Sequence, residues 1–272
     1  LPICEQVVCT DPGDRIAPAI SNSTIVWQEC RNATSQDYDI YMWDPVNGTQ
    51  PVCTEPGWQT RPAISGNIIV WEEFRRGSMR TANGSDVSMW DPVNGRRPVC
   101  TDTGHQTDPA VSGSIIVWGY CCDTDTATDI YLYDLSDPGA GVQPVCVEEG
   151  DQDYPAISGN TVVWQDDRNI TAWDSDIYMW DPVNGTRPVC TEPGDQEMPA
   201  VFGTTVVWQD RRNEETNGSD IYMWDPGHGV RPVCTEPGDQ IAPAISGSIV
   251  VWEDRRNENE TASDIYMANI TA

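Results

Sequence analysis

Lysine is absent from this sequence. The chain has 272 residues and 15 Lys plus Arg, and every one of the 15 is an arginine. It therefore has no lysine to form a Schiff base or to grip a phosphate group. Against these cations stand 43 Asp plus Glu, which gives a net charge of −28. This balance argues against binding to nucleic acid or to an anionic membrane surface, because both attract clustered cations.

Long apolar runs are also missing. No stretch approaches the roughly 18 consecutive apolar residues of a membrane-spanning helix, so we expect a soluble chain without a membrane span. The sequence starts at Leu1 rather than at a methionine. The simple expectation is a processed N-terminus from which a signal peptide has been removed, although an arbitrary sequence boundary would look the same.

A period of 44 to 47 residues organises the whole chain. A Val-Trp dipeptide recurs six times, with tryptophans at Trp27, Trp71, Trp118, Trp164, Trp208 and Trp252. Each unit contains four short segments rich in Val, Ile, Trp, Tyr and Thr, bounded by Gly, Pro or Asn, which is typical of strands joined by turns. Six units of four antiparallel strands predict an all-β fold, a six-bladed β-propeller, with little room for helix.

The two chain ends predict how the ring of blades closes. The sixth unit lacks its fourth segment, while residues 6–10 resemble a fourth segment with no unit before them. We therefore expect the N-terminal strand to complete the sixth blade and leave no free sheet edge. The whole chain, 1–272, is then a single propeller domain, with blades at about 17–54, 61–101, 108–147, 154–191, 198–235 and 242–269 plus 6–10.

The repeated motifs resemble those of TolB-like (PD40-type) propellers. The shared pattern is Pro-Ala-Ile-Ser-Gly, then Ile-Val-Trp, Asp-x-Arg-Asn and Asp-Ile-Tyr-Met-x-Asp, and it runs through all six units. It is most similar to the variant found in surface proteins of methanogenic archaea. The resemblance implies the propeller fold and leaves binding, scaffolding and enzyme-accessory roles open. One departure is that Cys stands before the final Thr of the unit, where TolB-like units usually have Leu.

Six of the ten cysteines follow the repeat, and four do not. The repeat cysteines are Cys9, Cys53, Cys100, Cys146, Cys190 and Cys234. On successive outer strands they are too far apart to bridge one another, so they are either buried thiols in place of Leu or partners for another chain. The remaining four, Cys4, Cys30, Cys121 and Cys122, are candidates for disulfides or an interface between stacked propellers. A bridge between adjacent Cys121 and Cys122 is the local alternative.

Sequons for N-glycosylation are far more frequent than chance. Nine of the 14 asparagines start an Asn-x-Ser/Thr triplet, whereas composition alone predicts about two. They are Asn22, Asn32, Asn47, Asn83, Asn169, Asn184, Asn217, Asn259 and Asn269. We expect all nine in turns or loops, and this excess favours secretion, where disulfides are permitted. Asn-Gly-Ser and Asn-Gly-Thr are also ordinary turn sequences that the repeat copies.

No catalytic constellation is evident. His105 and His228, the only histidines, are predicted on opposite faces, and no Cys-x-x-Cys is present, so we predict no catalytic residues and no enzyme activity. An acid two residues after most of the tryptophans, usually followed by Arg, predicts a structural ion pair. We expect no metal site; Asp123, Asp125 and Asp129 are weak candidates for calcium, and a solvated acidic loop is the alternative.

Together these features predict a secreted, N-glycosylated structural propeller. We expect it at the cell surface or outside the cell, as a building block of a fibre, sheath or surface layer. Its partners would be copies of itself stacked head to tail, with intersubunit disulfides as a further link, or other surface proteins and glycans. No cofactor is expected apart from the glycans. The alternative is an extracellular module that binds protein or carbohydrate.

Overall fold

The structure is a computed structural model that describes residues 8–9, 13–30, 37–75, 84–121, 127–168, 174–257 and 263–271. These residues form 23 strands, a one-turn α-helix α1 at Glu214–Asn217 and a short 3₁₀ helix at Pro138–Ala140. The expectation of an all-β chain is confirmed, and the two helical turns lie in connections that the sequence predicted as loops.

The strands follow the repeat in sets of four. Blades 1 to 3 contain β1 (Asp14–Ser21), β2 (Thr24–Cys30), β3 (Asp39–Asp44), β4 (Gly48–Cys53), β5 (Gly57–Ser65), β6 (Ile68–Arg75), β7 (Ser85–Asp91), β8 (Gly95–Cys100), β9 (His105–Ser112), β10 (Ile115–Cys121), β11 (Thr128–Asp134) and β12 (Gln143–Cys146). Blades 4 to 6 contain β13 (Gln152–Ser158), β14 (Thr161–Asp166), β15 (Asp176–Asp181), β16 (Gly185–Cys190), β17 (Gln196–Phe202), β18 (Thr205–Asp210), β19 (Asp220–Asp225), β20 (Gly229–Cys234), β21 (Gln240–Ser246), β22 (Ile249–Asp254) and β23 (Asp264–Asn269).

Each set is an antiparallel sheet in which sequence neighbours pair, such as β13-β14-β15-β16. Tight turns with glycine at positive φ connect the first strand to the second, as at Gly159 with φ 59°. β-Branched and aromatic residues on both sheet faces favour strands that are buried on both sides. These six sheets are the blades of a β-propeller fold; blades 1 to 5 have four strands each, and the described part of blade 6 has three.

The chain divides into two compact units, 1–125 and 126–272. In the first unit a buried cluster joins Val26, Ile40 and Cys53 of blade 1 to Ile69 and Trp71 of blade 2. In the second unit equivalent clusters lie between blades 4 and 5 and between blades 5 and 6. The core of each unit therefore lies between adjacent blades, where the repeated tryptophans pack.

Closure by the N-terminal strand stays a prediction. Of residues 6–10 only Val8 and Cys9 are described, and neither lies in a strand. In blade 6, Ile265 and Met267 of β23 are 76% and 61% exposed, whereas the equivalent Ile221 and Met223 of blade 5 are buried. Among the described residues β23 is thus an edge strand with an uncovered apolar face. No helix of the described chain is long and apolar enough to cross a membrane.

Candidate functional sites

A five-residue cluster repeats in blades 4, 5 and 6. In blade 4 the indole Nε1 of Trp164 donates a hydrogen bond to Asp166 Oδ2 at 2.7 Å. Arg168 binds both oxygens of the same carboxylate, with Nε 2.7 Å from Oδ1 and Nη2 2.6 Å from Oδ2. The guanidinium lies over the ring of Tyr178, 4.0 Å from its centroid, and that ring stacks on Trp164. The planar guanidinium of arginine can donate two hydrogen bonds to one carboxylate and stack on an aromatic ring at the same time. The ammonium group of lysine cannot do both.

The same arginine also reaches the preceding blade. Arg168 Nη2 lies 3.3 Å from Cys146 Sγ, at the end of the outer strand of blade 3. We call the group of Trp, acid, Arg, Tyr and Cys the arginine cluster. Its other copies are Trp208, Asp210, Arg212, Tyr222 and Cys190, and Trp252, Asp254, Arg256, Tyr266 and Cys234.

The arginine cluster leaves little for a ligand to bind. The side chains of Asp166, Asp210 and Asp254 are 0% exposed and already paired with the arginines. The hydrogen bond to Asp166 raises the pKa of Arg168 further above its ordinary value, so its charge is permanent. This arrangement agrees with the structural ion pair predicted from the sequence.

In blades 1, 2 and 3 the residue equivalent to the aspartate of the arginine cluster has other partners. Glu29 of blade 1 pairs with Arg15 at 3.1 Å, and Glu73 of blade 2 pairs with Arg96. In blade 3 Tyr120 replaces the acid, and its hydroxyl donates to Thr103 O at 2.7 Å. The arginines that the sequence pairs with these two acids, Arg31 and Arg75, stay a prediction, because Arg31 and the side chain of Arg75 lie outside what the structure describes.

Cysteines of the repeat are mostly buried free thiols. Cys53, Cys100, Cys146, Cys190 and Cys234 are between 3% and 9% exposed, and Cys9 is half-buried. Burial raises the pKa of Cys100 to about 11 and raises the pKa of Cys53, Cys146 and Cys190 as well. Such thiols stay protonated at neutral pH and react slowly.

The irregular cysteines are only partly described. Cys30 is buried and Cys121 is half-buried, while Cys4 and Cys122 lie outside the described residues. Asp129 lies in β11, and the other calcium candidates, Asp123 and Asp125, lie outside the described residues. Within the described part of the chain, no group of three or more His, Cys, Asp or Glu could hold a metal ion.

Five sequon asparagines lie in the described residues. Asn22 occupies the β1–β2 turn, and Asn47 and Asn184 occupy the turns after β3 and β15. These three and Asn269 are exposed. Asn217 and Asn269 depart from the expected loops: the first ends α1 and the second ends β23. Asn32, Asn83, Asn169 and Asn259 lie outside the described residues.

Sequence reasoning missed the residues that cap the hairpin after the third strand in blades 1, 2, 4 and 5. Asp44 Oδ1 accepts hydrogen bonds from the backbone N–H groups of Val46 and Asn47, both at 2.8 Å. The hydrogen bond from the Asn47 side chain, with these two, lowers the pKa of Asp44. The equivalent aspartates are Asp91, Asp181 and Asp225. The signal was present in the Asp-Pro-Val-Asn-Gly motif, because Asp commonly caps a turn two residues on.

A strained residue before a proline was also missed. In every first strand the residue before the proline of the repeat has φ between 50° and 53° although none is a glycine, and a β-bulge interrupts the register there. These residues are Ala17, Arg61, Asp108, Tyr154, Met198 and Ala242. Five residue types occur at these six positions, although the Pro-Ala that follows them is the same in every blade. Positive φ in a non-glycine residue costs about 1 kcal/mol or more and often marks functional positions.

The six sheets and their strand order define a six-bladed β-propeller fold. No family model matches the sequence, and no curated protein matches it either. Among solved structures, the chain is similar to TolB from Acinetobacter baumannii at 16% identity and a TM-score of 0.60, covering 85% of this chain and 57% of that one. It is also similar to a TolB-like protein of Agrobacterium tumefaciens at 13% identity and a TM-score of 0.57, covering 98% and 94% of the two chains.

Peptidase propellers match as well. A prolyl endopeptidase structure is similar at 12% identity with a TM-score of 0.68, covering 97% of this chain and 41% of that one. The chain thus spans little more than half of the Acinetobacter TolB chain and less than half of the peptidase. At these identities the likeness establishes the fold alone, and that fold occurs both in TolB and in propeller domains of peptidases.

Proposed function

We propose that this chain is a secreted, N-glycosylated structural propeller that builds an extracellular or cell-surface assembly. The observation that carries the proposal is the excess of sequons, nine where about two are expected, together with the exposure of four of the five sequon asparagines that are described. N-linked glycans are its only expected covalent additions, and calcium at Asp123, Asp125 and Asp129 stays a weaker proposal.

The arginine clusters support a scaffolding role over catalysis. Their carboxylates are buried and paired, so the repeated acids do not offer a general base to a substrate. We therefore propose that the chain is not an enzyme. The repeated motifs, which resemble those of surface proteins of methanogenic archaea, support a relationship to such proteins.

Assembly in the proposal proceeds by head-to-tail stacking of copies. A heterologous contact that does not close on itself generates a filament. The candidates for intersubunit disulfides are the four cysteines outside the repeat, Cys4, Cys30, Cys121 and Cys122. Of the two that are described, Cys121 is half-buried and Cys30 is buried.

Electron microscopy of purified material, isolated with and without reductant, tests the assembly. Filaments or sheets without reductant that shorten or dissociate with it support stacking through disulfides. Monodisperse 30.1 kDa particles under both conditions contradict the assembly role.

A binding module is the second candidate, favoured by exposed apolar residues on first strands of the second unit. Tyr154 and Met198 precede the conserved prolines and are 43% and 42% exposed, and Phe202 of β17 is 48% exposed where other blades have Ser. Aromatic side chains of this kind bind sugars or apolar protein surfaces. A specific hit on a glycan or protein array that Tyr154→Ala abolishes would support this alternative.

A further inference from the structure

We infer that Asn217 is held by the fold as a hydrogen-bond donor and does not carry a glycan, whereas Asn22, Asn47, Asn184 and Asn269 are the acceptors among the described sequons. The inference rests on the proposed function, because it takes the chain through a glycosylating compartment. It divides the described sequons into two chemical classes that the Asn-x-Ser/Thr pattern alone does not separate.

The side-chain amide of Asn217 serves two segments at once. Its Nδ2 donates to Asp220 Oδ1 at 3.2 Å and to the carbonyl oxygens of Thr235 and Glu236 at 3.0 and 3.4 Å. An amide nitrogen has two hydrogens, and N-glycosylation replaces one of them. The single N–H that remains cannot serve a carboxylate on one side and the carbonyls of the next connection on the other.

Loss of this donor is costly because the acceptor is buried. Asp220 is 0% exposed, and its other oxygen, Oδ2, accepts from Asn213 Nδ2 at 3.0 Å. The side-chain amides of Asn213 and Asn217 thus each donate to one oxygen of the Asp220 carboxylate. A buried acceptor that loses its donor bears the full cost of desolvation, since no water replaces the lost partner.

The other two residues of this sequon are also committed to packing. Gly218 has φ 89°, and a Cβ atom there would lie 2.8 Å from the backbone of Gly238. Ser219 is 3% exposed, and its N–H donates to Asp239 Oδ1 at 3.0 Å. Asn-Gly-Ser therefore fits this place as a structural turn: Asn bridges, Gly permits the close approach, and Ser is enclosed.

Blade 2 contains the same Gly-Ser pair in the same surroundings. Gly84 approaches Gly104 too closely for any side chain, and Ser85 is 0% exposed with its hydroxyl donating to Gln106 O at 2.8 Å. The packing of a Gly-Ser pair against the next connection thus recurs in two blades. This shared packing explains why the Gly-Ser pair recurs at both positions.

The other described sequons are open. A Cβ at Gly48 or Gly185 would meet nothing within 4 Å, so space is free beside Asn47 and Asn184. The Nδ2 amide of Asn47 donates only to the two oxygens of one carboxylate, Asp44, at 3.2 and 3.1 Å. One N–H can keep that contact after a glycan replaces the other. Asn184 makes the same pair of bonds to Asp181.

Asn22 and Asn269 are freer still. Both are exposed, and within the described residues neither Nδ2 amide has a hydrogen-bond acceptor. The Oδ1 of Asn269 accepts from both the N–H and the hydroxyl of Thr271, at 3.1 and 2.9 Å. These contacts occupy the Oδ1 atom of Asn269 and use neither hydrogen of its Nδ2 amide.

The test is to secrete the full chain from a host that glycosylates Asn-x-Ser/Thr. Glycopeptide mass spectrometry then shows which of the asparagines carry a glycan. We expect glycan at Asn22, Asn47, Asn184 and Asn269, and an unmodified Asn217. Glycan on Asn217 in folded protein overturns the inference while leaving the proposed function standing. Absence of glycan at every sequon overturns the assignment of acceptors and the glycoprotein part of the proposed function together.

Melting of unglycosylated chain tests the role of Asn217 separately. We expect Asn217→Gln to lower the Tm by about 5 °C, and the control Asn269→Gln to change it by less than about 1 °C. Ser219→Ala destroys the sequon but keeps the amide, so in the glycosylating host it should leave the total glycan mass unchanged. Equal Tm values for Asn217→Gln and Asn269→Gln, or a loss of one glycan mass with Ser219→Ala, contradict the inference.

Discussion

Arg212 of blade 5 donates a hydrogen bond from Nη2 to the sulfur of Cys190, at the end of the outer strand of blade 4, over 3.3 Å. The same guanidinium neutralises Asp210 in its own blade and lies over Tyr222. One side chain thus joins two adjacent blades of the second unit. This link, which is repeated by Arg168 and Arg256, explains why an arginine and a cysteine recur together in blades 4 to 6.

Removing the guanidinium should therefore cost far more than removing a neighbouring surface charge. We expect Arg212→Ala to lower the free energy of unfolding by about 3 kcal/mol, because it leaves the Asp210 carboxylate buried and unpaired. The control is Arg211→Ala, whose 35% exposed side chain pairs with Glu197 at 3.0 Å and should contribute less than about 1 kcal/mol. Urea unfolding followed by tryptophan fluorescence measures both. Equal midpoints for the two variants would contradict the role of the arginine cluster.

The buried repeat cysteines should resist thiol reagents. We expect Cys53, Cys100, Cys146, Cys190 and Cys234 to stay unlabelled by a disulfide reagent at pH 8 in the folded chain and to react after denaturation. Burial raises the pKa of the Cys100 thiol to about 11, so thiolate is scarce at that pH. Mass spectrometry of the labelled peptides identifies the sites. Rapid labelling of these five in the native protein would mean that they are accessible to another chain.

Stability should fall as the pH rises from about 4.5 to 7 because of Glu72. Its side chain is 3% exposed, and burial raises the pKa of its carboxyl to about 7, against the opposing effect of Arg61. The folded state therefore holds a proton that the unfolded state has already lost in this range, so ionisation favours unfolding. The stabilisation that the protonated Glu72 carboxyl gives to the folded state is complete below about pH 4.5 and is lost as the pH passes about 7.

Glu72→Gln tests this dependence. The variant keeps the shape of the neutral side chain, so we expect it to exceed the parent chain in stability by on the order of 2 kcal/mol at pH 8 and to match it near pH 4.5. Urea midpoints across this pH range measure the difference. Parallel curves for the two proteins would show that Glu72 ionises in the folded state without cost.

Replacing the alanine before the proline of the repeat in β21 by glycine should stabilise the chain. Ala242 has φ 51°, a conformation that glycine adopts without strain. We expect Ala242→Gly to raise the free energy of unfolding by about 0.5 kcal/mol, the relief of strain less the added freedom of the unfolded chain. Its control is Ala244→Gly, two residues along in the regular part of β21, which should destabilise by a similar amount. A loss of stability in both variants would contradict the backbone strain that we infer at Ala242.

Local patterns accounted for the fold more fully than for its sites. The spacing of the tryptophans, the alternating strand segments and the Gly or Asn turns predicted six blades of antiparallel strands, because strand and hairpin formation depend on residues within about ten positions of one another. The same patterns located the acid and arginine of each arginine cluster. They missed Asp44 and its equivalents, and they placed Asn217 in a loop rather than at the end of α1.

The amino-acid sequence by itself determined the period, the four strands of a blade and the acidic surface with its many sequons. Only the tertiary structure decided which of these groups is used in packing. Arg212 contacts Cys190, 22 residues earlier, and Asn217 contacts Thr235, 18 residues later, only once separate segments have packed together. Burial and hydrogen bonding of that kind depend on strands from different parts of the chain, so two identical Asn-Gly motifs can be an open turn in one place and a half-buried bridge between two segments in another.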